Sequence, residues 1–344
     1  MPVLSRPQEA THNPAMTTFT ALMLTQAGRD TAAALVELEE SALPEGNVDV
    51  RVEYSSLNFK DALAITGRGA IVKRWPLVPG IDLAGIVERS EHRDWTPGDR
   101  VVVNGWGLGE THWGGLAQRA RLNGDWLLAL PAAYDSRQAM AIGTAGYTAA
   151  LCVMALQRHG LTPADGPVLV TGASGGVGSV AVVLLAGLGF QVAASTGRAE
   201  QAAYLRDLGA TDIVERASMA AAGKPLQGER WAGVVDTVGS HTLANACAAT
   251  RWNGAVAACG LAQGADLPAT VLPFILRGIT LYGINCVYTS NEKRLQAWAL
   301  LAQHLSTTTL EQMTHEIGLS QAISASGDLL DGRLRGRTVV AVDR

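Results

Sequence analysis

The stretch "TGASGGVGSVAVVLLAGLGFQVAASTGR" (residues 171–198) decides the fold. The apolar run PVLV (167–170) leads into it. A glycine cluster follows, then a helix-like apolar segment, then a second apolar run ending in Ser195-Thr196-Gly197-Arg198. Read from Ala173, the loop is A-x-G-x-x-G: Ala173, Gly175 and Gly178, with Gly172 and Gly176 beside them. Its first position departs from strict G-x-G-x-x-G, yet the physical requirements are met. Gly172 and Gly175 permit a tight turn, a missing Cβ at Gly175 or Gly176 admits a pyrophosphate to the backbone, and Gly178 lets the helix pack on the strand. The N–H groups near Gly176 and Val177 face the anion at the helix start. The placement between a strand and a helix gives the motif its weight.

The end of the second strand selects the nucleotide. An NAD site places Asp or Glu there, on the ribose 2′-hydroxyl. This chain has Ser195-Thr196-Gly197-Arg198 and no carboxylate before Glu200. Hydroxyls and a guanidinium suit a 2′-phosphate, so the expected cofactor is NADPH. The competing reading makes Arg198 a solvated arginine at a helix start.

Working outward, 344 residues suit roughly two domains. The net charge of −4 gives no argument for a nucleic-acid partner. The four cysteines (152, 247, 259, 286) lie far apart without CxxC spacing. That pattern suits a reducing cytoplasm rather than a disulfide framework or a zinc cluster. The first residues, MPVLSRPQEATHNPA, lack a charged-then-apolar targeting pattern. Residues 1–16 read as a flexible leader, with Met16 an alternative start. The apolar run near 177–190 is too short and too glycine-rich for a membrane span and reads as a buried helix.

From about 17 to 140, apolar runs alternate with PEG, PG and TPGD turns. This predicts an antiparallel, barrel-like β domain. From about 143 the rhythm becomes strand–helix–strand, with strands expected at 167–171, 191–196, 211–214, 232–238, 254–260 and 279–284. That spacing predicts a doubly wound parallel sheet. An amphipathic helix is expected over 291–305, then a last strand in RLRGRTVVAVDR that returns to the first domain. The expected division is 17–142 with 291–344 as one domain and 143–290 as the other.

The seven histidines (12, 92, 112, 159, 241, 304, 315) show no ligand spacing with each other or with cysteine, so no metal site is expected. Metal-free hydride transfer onto an activated C=C bond fits such a chain. Charge collects on a conjugated carbonyl oxygen, and hydrogen-bond donors aimed at it suffice. Asn58, Lys60 and Asp61 follow a strand where the cleft should open. Asn58 and Lys60 are candidates to donate to a carbonyl oxygen, with a ribose or phosphate contact the other reading of Lys60 and loop capping the other reading of Asn58 and Asp61. Thr144 and Tyr147, at the entry to the nucleotide domain, are candidates for the nicotinamide end, with core packing the other reading of Tyr147. Arg68, Lys73 and Arg74 in GRGAIVKR (67–74) are either phosphate contacts or a solvated loop. Tryptophans 106, 113 and 126 read as packing.

SSLNFKDALAITG (55–67), PGIDLAG (79–85), GWGLGETHWGGLAQRARLNGDWLLALP (105–131), GTAGYTAALCVMAL (143–156), TGASGGVGS (171–179) and VAACGLAQG (256–264) together resemble the NADPH-dependent acryloyl-CoA reductases. These form part of the zinc-free, quinone-oxidoreductase-like branch of the medium-chain dehydrogenase/reductase superfamily. The resemblance spans about 20–344. It implies a GroES-like β-barrel catalytic domain, an inserted Rossmann domain, a homodimer and an enoyl-CoA substrate. It implies pyrophosphate contacts at Ser174, Gly175, Gly176 and Val177, and 2′-phosphate contacts at Thr196, Gly197 and Arg198 with Arg216 beside them. Further cofactor contacts are implied at Phe59, where tyrosine is common, and at Leu261, Ile275, Cys286, where serine is usual, and Gly332. An NADPH:quinone or enone reductase and a non-catalytic NADPH-binding protein are the alternative readings.

Overall fold

The computed structural model describes residues 18–28 and 30–344; the expected leader, 1–16, lies outside the described residues. The chain opens with an antiparallel hairpin, β1 (Thr18–Ala27) and β2 (Asp30–Glu39). Then come β3 (Val48–Leu57), α1 (Phe59–Thr66), β4 (Asp82–Ser90), β5 (Arg100–Asn104), β6 (Arg119–Leu122) and β7 (Leu128–Ala129). The long helix α2 (Ser136–His159) leads into β8 (Val168–Val170), α3 (Gly176–Gly187), β9 (Val192–Thr196), α4 (Ala202–Asp207), β10 (Asp212–Glu215) and β11 (Trp231–Asp236). There follow α5 (Ser240–Ala249), β12 (Thr250–Ala258), α6 (Leu272–Arg277) and β13 (Thr280–Gly283). The chain closes with α7 (Asn291–His304), α8 (Thr307–Met313), β14 (Thr314–Gly318), α9 (Ala322–Leu330) and β15 (Arg337–Ala341).

Two sheets organise these elements. The order β10-β9-β8-β11-β12-β13 is parallel throughout. In chain order it is 3-2-1-4-5-6, the doubly wound Rossmann arrangement. Its central strands are buried on both faces, as in VLV of β8 and WAGVVD of β11, which is why they read as continuous apolar runs. The second sheet runs β14-β15-β3-β4-β5-β7, with β6 on β3. It is the barrel, and its β3 alternates buried and half-buried positions along Val48–Glu53, the period of two that a one-sided sheet needs. The last strand, β15, pairs antiparallel with β3, so the chain does return to its first sheet.

α2 joins the two sheets. Asp135 caps it by accepting from Gln138 N, and Gly160 ends it in the left-handed region. By length and composition α2 could cross a bilayer, but its apolar residues form the core of this fold. Its one non-helical residue is Gly143, at φ 51°. A Cβ there would stand 2.5 Å from Arg337 Nη2 and 2.8 Å from Asp82 Oδ2, so only glycine fits. α7 buries Arg294, Ala297, Trp298 and Leu301, and it packs on α2 and α3.

Candidate functional site

At the carboxyl edge of the parallel sheet, β8 runs into the glycine turn. A Cβ on Gly178 would stand 2.6 Å from Ala173 Cα, whereas one on Gly175 would meet only Gly172 O at 3.3 Å. Gly178 therefore serves helix–strand packing, and Gly175 keeps the approach to the backbone open. The first-turn N–H groups of α3 have no intrahelical acceptor and the helix dipole adds positive potential there. Buried Asp236 braces the turn, accepting from Thr171 Oγ1 at 2.7 Å and Gly239 N at 2.8 Å; burial pushes its carboxyl above the usual range.

The end of β9 is cationic. Ser174 Oγ and Thr196 Oγ1 stand 3.3 Å apart, and Arg198 Nη2 donates to Ser174 Oγ at 3.0 Å. A Cβ on Gly197 would stand 2.6 Å from Arg216 Cζ, so Arg216 lies across Gly197. Among the described residues, no carboxylate lies within 4.0 Å of Arg198 or Arg216. Arg198 Nη1 also donates to Gly332 O at 2.8 Å, which brings residue 332 to the same rim. A glycine cradle, free first-turn N–H groups, two hydroxyls and two unpaired guanidiniums fit a dinucleotide carrying a 2′-phosphate.

A buried polar network lies between the sheets. Asn58 caps α1, and its Nδ2 faces Ser56 Oγ at 3.1 Å, Asp61 Oδ2 at 3.0 Å and Asp82 Oδ2 at 3.4 Å. Its Oδ1 accepts from Arg337 Nη1 at 3.1 Å. Both amide hydrogens of Asn58 therefore face acceptors within the protein. Arg337 also donates to Ala141 O at 2.8 Å and Ser56 Oγ at 2.8 Å. A Cβ on Gly176 would lie 3.1 Å from Arg337 Nη1, so this network abuts the glycine turn. Thr144 N donates to Asp82 Oδ2 at 2.6 Å, while Thr144 Oγ1 has no partner among the described residues.

Asp61 accepts from Asn58 N, Gly80 N and Ile81 N. Burial, then the charge of Asp82, push its carboxyl from 3.8 up to about 7 against those donors. A raised folded value means that the protonated fold is favoured. This contribution is full below 3.8, declines as pH rises and is gone above about 7. Stability is expected to fall by about 1.4 kcal/mol per pH unit between pH 5 and 7 and then level. Urea denaturation across pH 5–8 checks this, and Asp61→Asn should flatten the slope.

A third cluster surrounds Arg294. Its side chain, 1% exposed, stacks 4.5 Å from the Trp106 ring and 5.3 Å from the Tyr147 ring. It donates to Thr289 O (2.8 Å), Asn104 O (2.6 Å), Cys286 O (3.2 Å) and Val287 O (2.7 Å). Tyr147 OH and Asn104 Nδ2 are buried without partners among the described residues. Burial raises the Tyr147 phenol, and the Arg294 charge and the neighbouring Thr289 side chain oppose that rise.

The structure thus joins residues 174–177, 196–198, 216 and 332 at one rim, Asn58 and Thr144 in the network beside it, and Tyr147 with Cys286 around Arg294. Lys60 is held by Glu110 at 2.8 Å. Phe59, 44% exposed, starts α1. Leu261 is exposed after β12, and Ile275 is exposed on α6; no contact described here joins either to the rim. In the basic loop, Arg68 pairs with Asp331, and Arg74 lines a surface groove of about 820 Å³ with Trp113 and Trp126. No three His, Cys, Asp or Glu among the described residues form a metal-ligand group.

Sequence reasoning missed Arg294, Arg337 and Asn104. Arg294 had a signal: it occupies the apolar register 294, 297, 298, 301 of its helix, where a charge is out of place. Arg337 opens an otherwise apolar strand. Asn104 carried none.

Two family models match: an alcohol dehydrogenase GroES-like domain over 44–132 and a zinc-binding dehydrogenase domain over 176–303. The chain is 52% identical over 314 residues to the acrylyl-CoA reductase AcuI of Ruegeria pomeroyi, covering 91% of this chain and 95% of that one. It is 50% identical over 323 residues to a probable acrylyl-CoA reductase AcuI of Escherichia coli, covering 94% and 99%. The solved structure of E. coli YhdH with bound NADPH superposes with a TM-score of 0.92 at 50% identity, covering 94% and 99%.

Proposed function

This chain belongs to the acrylyl-CoA reductase family of the medium-chain dehydrogenase/reductase superfamily, and from that premise we propose that it reduces the activated C=C bond of acryloyl-CoA to propanoyl-CoA with NADPH. The observation that carries the cofactor is the carboxylate-free rim of Ser174, Thr196, Arg198 and Arg216 beside the glycine turn. When bound, NADPH supplies the hydride that reaches the β carbon of the acyl group.

The chain's residues do the rest. Ser174, Gly175, Gly176 and Val177 receive the pyrophosphate, and Thr196, Gly197, Arg198, Arg216 and Gly332 form the 2′-phosphate rim. Phe59, Thr144, Leu261, Ile275 and Cys286 are assigned as further cofactor contacts on the family pattern. During transfer, negative charge collects on the thioester oxygen, and donors aimed at it lower the barrier. Tyr147 supports this role best, with a buried hydroxyl beside Thr289 and a cation behind its ring. Lys60 would serve only after leaving Glu110. Asn58 holds the network that orients Thr144.

We place the domain division at 143 and 291, with 17–142 and 291–344 the catalytic part. The chain is proposed to act as a homodimer: β13 is an edge strand, and α6 beside it exposes Ile275 and Leu276, a surface suited to self-pairing. Four free cysteines support a reducing cytoplasm.

The test is NADPH consumption by chelator-treated protein with acryloyl-CoA and a simple quinone in parallel. Faster consumption with acryloyl-CoA is expected. Consumption with quinone alone would overturn the substrate and leave the cofactor reading intact.

A further inference from the structure

We propose that Arg335 is a further specificity residue for the phosphorylated cofactor, forming with Arg198 a clasp on the 2′-phosphate that the barrel side of the molecule contributes. The proposal rests on the NADPH reading above. The segment between α9 and β15 is pinned to the phosphate rim by its backbone. Gly332 O and Leu334 O accept from Arg198 Nη1 at 2.8 and 3.4 Å, and Gly336 N donates to Ser174 O at 3.2 Å. Arg335 sits between the last two of these contacts, so its backbone is part of the rim.

The arginines of this segment have different occupations. Arg333 is held by Asp328 at 2.6 Å and Asp331 at 2.8 Å. Arg337 is buried in the network under Gly176. Arg335 is exposed, and among the described residues no carboxylate lies within 4.0 Å of it. Its guanidinium instead stacks 4.5 Å from the Tyr204 ring. Tyr204 belongs to α4, the helix that follows Arg198, and its hydroxyl donates to Ser179 Oγ of α3 at 3.0 Å. Both Arg335 and Arg198 bear on the Tyr204 hydroxyl.

Arg198, Arg216 and Arg335 are thus three like charges without a carboxylate partner among the described residues, carried by the rim and the segment pinned to it. Such a group is costly alone and favourable around a dianion. The stacked guanidinium is also restrained, so little freedom is lost when it meets the phosphate. Because Arg335 comes from the barrel side and Arg198 from the parallel sheet, one phosphate group would be gripped from both sides of the cleft.

Calorimetric titration with adenosine 2′,5′-bisphosphate and with 5′-AMP tests this without turnover. The variants are Arg335→Ala, Arg335→Lys and, to keep a planar stacking group, Arg335→Gln, with Arg198→Ala as reference. Arg335→Ala and Arg335→Gln are expected to weaken the bisphosphate about 10-fold or more and leave 5′-AMP unchanged. Arg335→Lys should recover most of the loss. Equal weakening of both nucleotides, or no weakening in a folded variant, would overturn the role of Arg335. A wild-type protein that did not distinguish the two nucleotides would instead overturn the NADPH reading.

Discussion

Arg294→Met is expected to lower the unfolding free energy by about 3–5 kcal/mol. Two effects compete. Methionine removes the cost of keeping a guanidinium out of water, a cost visible in the way burial holds the Arg294 pKa below its usual value. Against that, the carbonyls of Asn104, Cys286 and Thr289 lose the Arg294 donor together, while Val287 O keeps Trp106 N. Each buried acceptor left unpaired costs about 1–3 kcal/mol, and two cation–π contacts go as well. The losses outweigh the gain. Urea denaturation gives the magnitude, and amide exchange should show residues 286–289 losing protection before the sheets do. Arg294→Lys, with the charge but not the fork, should fall between. A loss under about 1 kcal/mol would show that Arg294 does not hold the junction.

Gly178→Ala is expected to cost about 3 kcal/mol in stability and about 100-fold in NADPH affinity. The added methyl would meet Ala173 Cα at 2.6 Å and Gly172 C at 2.9 Å, backbone atoms that no rotamer change can move. α3 must retreat from β8, and the first-turn N–H groups retreat with it. Gly175→Ala is the informative comparison. Its methyl meets nothing nearer than 3.3 Å, so stability should change by no more than about 0.5 kcal/mol. It stands where the pyrophosphate approaches, so NADPH affinity should still drop. Thermal melting with and without NADPH separates the two variants. Equal melting losses for both would contradict the division of labour between these glycines.

Much of this architecture is legible in the chain because its signals are local. PVLVT, QVAAST and AGVVDTV are continuous apolar runs at regular spacing, and each lies in or overlaps a strand of the parallel sheet. The glycines of 172–178 and the missing acid after β9 are read from neighbours in sequence. The helical stretch after β9 opens with a tight turn at 199–201, and α4 itself is confined to 202–207. What was not legible depends on contacts between distant residues. Arg337 meets Asn58 across 279 positions, and Arg294 meets Asn104 across 190. No periodicity reports such pairings. Asn58 shows the other limit: the sequence offered capping and catalysis as equals, and nothing near it in the chain reports that Asp82 and Arg337 meet its amide.

Gly143 carries a mechanical consequence. α2 is a shaft anchored in both lobes, and its single non-helical joint is also where Arg337 grips Ala141 O and Met140 O. Across the joint, Thr144 N is tied to Asp82 Oδ2 of the barrel sheet, and a rotation of one lobe against the other would break that bond. The joint is therefore splinted. Two lobes swinging apart like a book would have to break that splint.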